Sequence, residues 1–262
     1  MRPQLPTVDD LGRDLLRVPL WRRAASLLAP FILVLLFFAL AATGQWIGAV
    51  ACTMLLTFLT YGSISHDLVH RNLGLARWLN EPLLTAIELL AVRSGHAYRV
   101  VHLHHHARFP AADDLEGAAA AMSWWRALLD GVTLQPRLWI FALRKPGPHR
   151  PWVIAEGLAV LMMIAASAFW MPAAVYVLLM IGGSWIFPFM TSYIPHDAHG
   201  ADALSQTRLF RGRALAWLAL EHLYHLEHHL YPQVPHHNWP ELARRLDPHF
   251  SHFGLKARRL AF

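Results

Sequence analysis

Four long apolar runs divide the chain. Residues 24–42, 46–65, 152–170 and 173–194 carry almost no charge, and Glu156 is the one ionised side chain inside them. Each run is close to the roughly 20 residues a helix needs to cross about 30 Å of hydrocarbon. Only Thr43, Gly44 and Gln45 separate the first two, and only Met171 and Pro172 the last two. The pattern therefore predicts two tight helical hairpins. Trp46, Trp152 and Trp170 stand at run ends, where aromatic rings collect at the edge of a bilayer. Between the hairpins, residues 80–92 are apolar but too short to span, and Glu81 and Glu88 interrupt them, so they are expected to lie in the interface. Residues 99–108 predict a helix that FPAADDLEG breaks. Residues 123–143 form a tryptophan-rich amphipathic stretch expected on the membrane surface, and residues 239–246 a short helix. The expected fold is an all-α integral membrane protein, one domain over residues 1–262. Four transmembrane helices form two hairpins, with interfacial helices and a histidine-rich cytoplasmic cap.

Composition sharpens this reading. The chain is 55% hydrophobic and 15% charged, against about 25% charged in soluble domains. All 23 Lys and Arg lie outside the four runs and their two short turns. The positive-inside rule then places both termini and the loop 71–150 in the cytoplasm, as expected of a bacterial inner-membrane protein. The net charge of +6 is read as an orientation and lipid-surface signal, and no nucleic-acid partner is expected. The first 23 residues, with Asp9, Asp10 and Asp14, do not resemble a secretory signal, so the first run is expected to be retained. The basic tail 256–259 is expected to rest on anionic headgroups. Cys52 is the single cysteine, which excludes a disulfide framework and thiolate metal sites.

The chemistry sits in the 18 histidines. His66 and His70 in HDLVH are one helical turn apart and can serve one metal. His102, His105 and His106 in HLHHH share a face, as do His225, His228 and His229 in HLEHH. Eight imidazoles are too many for one ion and natural for two. Imidazole suits iron, zinc, copper and nickel alike. The first and second hairpins finish alike, in SHDLVH and PHDAHG, so all clusters can meet at one membrane face.

The three motifs H-D-x-x-H, H-x-x-H-H and H-x-x-H-H, in this order after alternating hairpins, resemble the membrane fatty-acid desaturase superfamily. The likeness runs from about the second run to Pro240. It implies a non-haem di-iron centre that uses O2 and two electrons to attack an unactivated C–H bond of a lipid. Carried over by residue, His66, His70, His102, His105, His106, His225, His228 and His229 are its ligands, and His196 is the expected ninth. Asp67 and Glu227, beside ligands, are candidates to hold a second ring nitrogen. Asp113 and Asp114 resemble a family position that supports the site. SYIPHD and YHLEHHLYPQVP are most similar to bacterial β-carotene ketolases, although those carry a tryptophan pair where His236 and His237 stand here. A carotenoid ring ketolase or hydroxylase is the specific expectation, and an acyl desaturase or hydroxylase the alternative. An external electron donor such as a ferredoxin is implied.

Blander readings stand beside these. His96, His149, His249 and His252 are expected to be solvated, and His236 and His237 to lie at the surface. His104 could replace a neighbour but is outside the expected ligand set; the sequence leaves open whether His222 and His199 are ligands, and a supporting role is the favoured reading for His199. Asp113 and Asp114 could be an ordinary turn. A membrane haem protein would need histidines facing each other inside the membrane, and the first and third runs have none. A metal transporter would hold its ligands near mid-membrane, whereas these cluster at one edge.

Overall fold

The structure, a computed structural model, describes residues 5–212 and 224–259. Among these, eleven α-helices carry the fold: α1 (Val8–Leu11), α2 (Leu20–Ala42), α3 (Trp46–Leu59), α4 (Ser65–His70), α5 (Arg77–Leu90), α6 (Gly95–Arg108), α7 (Trp124–Arg144), α8 (Arg150–Ser167), α9 (Met171–Ser184), α10 (His225–Leu230) and α11 (Trp239–His252). The strands among them are two-residue pieces, β1 (Phe210–Arg211) and β2 (Arg258–Arg259), paired in parallel.

The α2–α3 hairpin turns at Gly44, whose φ of +75° lies in the region that glycine enters without a Cβ penalty. α3 packs on α9, and α8 on α9, around Phe37, Ala49, Leu56, Val160, Tyr176 and Met180. Outward, Ile32, Leu35, Ile47, Met54, Leu161 and Leu178 are exposed. Apolar surface on this scale has no stable contact with water and fits lipid. Among the described residues, three helices are long and apolar enough to cross a membrane: the helix ending at Ala42, α8, and α9 with its continuation to Tyr193.

The second run differs from its expected single span. Its regular α-helix is 14 residues long and passes into a π-helical turn at Thr60–Ile64 before α4. The Thr60 hydroxyl donates to the Leu56 carbonyl at 2.7 Å, and the Ser63 hydroxyl to that of Leu59. Hydroxyls that bond back into the preceding turn loosen its ladder. The second hairpin does the same at Pro188–Tyr193, where Pro188 has no N–H to give. Both π turns stand just before the His-Asp pairs, the placement typical of π-bulges at functional sites.

The connecting helices appear close to where the pattern put them. α5 and α7 lie against the hairpins, and α7 exposes Trp124, Trp125 and Leu129. At Gly131, α7 runs so close to the end of α9 that a Cβ would sit 1.7 Å from the Trp185 carbonyl oxygen. α6 packs on α4, α5, α7 and α8. The C-terminal helices form a separate core of Leu226, Val234, Trp239, Leu242, Leu246 and Phe250, against which Leu11 and Leu15 of the N-terminal segment pack. An Arg245–Asp14 ion pair closes that contact at 2.7 Å.

Candidate metal centre

Four chain segments converge beneath this C-terminal layer. α4 presents His66 and His70, α6 presents His102, His105 and His106, the segment after the second π turn presents His196, and α10 presents His225, His228 and His229. Their Nε2 atoms fall into two groups. His66, His70, His102, His106 and His228 form one, and His105, His196, His225 and His229 the other. In the first, the Nε2 of His102 lies 3.0 Å from those of His66 and His70 and 3.1 Å from that of His106, and His228 reaches His106 at 2.8 Å. In the second, His196 lies 3.1 Å from His105, 3.1 Å from His229 and 3.2 Å from His225. The groups adjoin, since the His106 and His229 rings stack with centroids 4.4 Å apart.

The opposite ring nitrogens show which tautomers these are. His102 Nδ1 faces Glu116 at 2.9 and 3.0 Å. His105 Nδ1 faces Asp114 Oδ2 at 2.7 Å, and His196 Nδ1 faces the Ser192 carbonyl at 3.3 Å. Each of these imidazoles therefore donates through Nδ1 and leaves Nε2 bare. The Nε2 atoms of His105 and His196 then meet at 3.1 Å. Lone pairs so placed repel unless a cation lies between them. Separations near 3 Å are those of neighbouring nitrogens around one ion with bonds of about 2.0–2.2 Å. The residues fit a metal.

Burial reinforces this. Burial and the crowding of neighbouring imidazoles hold His66, His106, His196, His228 and His229 well below the ordinary imidazole range. The same causes push His70 down to about 2. The neutral form that ligates is thus the stable one. Burial alone would also lower His105, but the Asp114 hydrogen bond and the charges of Glu116 and Asp114 outweigh it and raise the group. Burial alone would raise the Asp114 carboxyl, but the His105 N–H and the Gly117 and Glu116 amides hold it below its ordinary value. Phe109 covers His105 and His196, and Trp239 covers His66 and His228.

The carboxylates differ from expectation. Asp114 does hold a clustered imidazole, but Asp113 is exposed and meets His104 at 3.0 Å and Arg108. Asp67 serves His236, not a ring of either group, through Oδ2 at 2.6 Å and through the backbone N–H. Glu227 pairs with Arg211 at 2.5 Å, and burial still pushes its carboxyl up to about 7. The partner of His102 is Glu116, fourteen residues along the chain, which local spacing does not reveal.

Several histidines also differ. His96, expected in solvent, is buried between Glu156 at 2.8 Å and Glu81 at 2.9 Å. Arg99 joins Glu81 to the carbonyls of Leu68 and Val69 at the end of α4. This polar knot ties the helix of the second motif to that of the first, and it explains the charge of Glu156 inside an apolar helix. His236 is buried, not at the surface. His149 is half-buried and meets the Ala142 carbonyl at 3.0 Å. His104 and His199 stand outside both groups, and His222 lies outside the described residues.

A family model described as fatty acid desaturase matches residues 43–260. A search of curated proteins returned no match. The family match covers most of the chain and spans all nine clustered histidines, and the chain belongs to the fatty acid desaturase family.

Proposed function

We propose that this member of the fatty acid desaturase family is an O2-dependent membrane oxidoreductase whose nine clustered histidines hold two irons and whose substrate is a lipid C–H bond. The family supports a lipid-modifying oxidoreductase, and the three apolar helices support an integral membrane protein. The observation that carries the metal reading is the pair of adjoining groups of buried, bare imidazole nitrogens.

His66, His70, His102, His106 and His228 would hold one iron, and His105, His196, His225 and His229 the other. Bound iron would supply the O2 chemistry that an unactivated C–H bond requires. The protein's own share is to fix and protect that donor set. Glu116 and Asp114 keep His102 and His105 in the Nδ1–H tautomer, which leaves Nε2 free. Phe109, Trp239 and the C-terminal layer keep water from the donors. Arg99, held by Glu81 of α5, fixes α6 against α4 through the Leu68 and Val69 carbonyls, so five ligands keep their register. On this reading the donors lie at one membrane face, within reach of a lipid and of a cytoplasmic electron donor such as a ferredoxin.

A carotenoid ring, oxidised to a ketone or alcohol, is the more specific substrate reading and rests on the SYIPHD and YHLEHHLYPQVP segments. An acyl chain, desaturated or hydroxylated, is the second reading and rests on the family description. The test is expression in cells that make β-carotene and, separately, in cells of defined acyl composition, followed by mass analysis of extracted lipids. Oxygenated carotenoid supports the first reading, a new double bond or hydroxyl in an acyl chain the second, and unchanged lipids in both hosts count against both.

A further inference from the structure

Outside the nine imidazoles lies a third group, Asp67, His236 and His237. Asp67 is fully buried. Its Oδ1 accepts the His236 backbone N–H at 3.0 Å, and its Oδ2 lies 2.6 Å from His236 Nδ1. Those hydrogen bonds account for His236 and leave His237 unexplained. The His237 Nε2 lies 2.9 Å from the Ser26 hydroxyl on α2. Its Nδ1 is buried with no hydrogen-bond partner among the described residues, 3.9 Å from Asp67 Oδ2. That gap is too long for a hydrogen bond, and two metal–ligand bonds of about 2.0–2.2 Å can span it. A buried nitrogen left bare is costly.

We propose that Asp67, His236 and His237 bind one divalent cation of the zinc type, separate from the ions held by the nine histidines. One carboxylate and two imidazoles, with no thiolate, are a donor set that zinc accepts. The ion takes the place of the proton that His236 Nδ1 now gives to Asp67, and the His236 ring then carries its proton on Nε2. Ser26 accepts the remaining N–H of His237 and fixes that ring, the role such partners play at metal sites. The site joins α4 to the turn before α11, next to Trp239, which packs on His66 and His228. The ion therefore staples the C-terminal layer to the helix of the first motif without taking part in oxidation.

The test uses the full chain in detergent, dialysed against buffered zinc chloride and counted for metal. Wild type should hold one zinc per chain more than His237→Ala and His237→Asn. The double variant His106→Ala/His237→Ala should likewise hold one fewer than His106→Ala, which separates this site from the nine-histidine groups. Ser26→Ala should weaken zinc binding about ten-fold at this one site. Equal zinc in wild type and the folded His237 variants overturns the proposal. If those variants do not fold, Ser26→Ala decides, and an unchanged zinc affinity there overturns it.

Discussion

Asp114→Asn changes one atom and cannot be accommodated. The carboxylate accepts from three donors, His105 Nδ1–H on Oδ2 at 2.7 Å and the Glu116 and Gly117 amides on Oδ1 at 3.1 and 3.0 Å. An asparagine has one accepting oxygen. If it faces the amides, its NH2 meets the His105 N–H. If it faces His105, its NH2 meets two backbone donors. Either way a buried donor loses its partner, at a cost of about 1–3 kcal/mol, and His105 gains a reason to move its proton to Nε2, where a ligand must be bare. Loss of such a supporting contact typically weakens metal binding about 10–100-fold, about 1.4–2.8 kcal/mol at 1.4 per decade. The assay is competition between the protein and a chelator of known iron affinity. The variant should fold, release iron at lower chelator concentration and lose activity in proportion. Iron affinity within two-fold of wild type would refute the tautomer argument. The same group sets an acid limit. Its folded carboxyl titrates below the ordinary 3.8, so its contribution is complete above that value and fades as pH falls through the folded-state value. Metal retention should fall there in wild type, with a weaker dependence in Asp114→Asn.

Glu156→Leu should lower stability by about 1–3 kcal/mol for each buried donor it strands, the Ser94 hydroxyl and the His96 backbone N–H among them, and a thermal scan in detergent reads this as a lower Tm. An unchanged Tm would remove the polar knot from the account of how α6 is held. Reporter fusions at Gly44 and Met171 should face the outer side, and fusions in the loop 71–150 the cytoplasm. A periplasmic signal from the loop would overturn the topology. Turnover with O2 and substrate should require an added reductant, such as ferredoxin with its reductase and a nicotinamide donor, and should weaken as salt screens docking over a Debye length of about 8 Å at 0.15 M. Multiple turnovers without any reductant would defeat the oxygenase reading.

Eight of the clustered histidines stand out in the sequence because helical spacing is a local property: three or four residues in sequence fix a shared face whatever the tertiary structure does; His196 has no such local signal and comes only with the family resemblance. The carboxylate partners do not stand out. Glu116 reaches His102 across the FPAADDLEG break, and Asp67, although next to His66, turns to His236 in a distant turn. Sequence adjacency says nothing about which of two flanking surfaces a side chain meets. Asp113 and Asp114 show how narrow the margin is, since one is exposed on His104 and its neighbour is buried on His105. His96 and His236 read as solvent-facing because nothing near them in sequence offers a partner, and Glu156 and Asp67 arrive only with the fold. Apolar length marked the helices well, but it passed over the two π turns, which depend on where Thr60, Ser63 and Pro188 act on the backbone.

The most direct measurement is iron per chain in purified protein, for wild type and for His228→Ala and His105→Ala, one from each imidazole group. Two irons in wild type, with reduced iron and no activity in each variant, are predicted. A wild-type protein that binds no iron under reducing, iron-replete conditions, or full activity in either variant, would contradict the di-iron assignment.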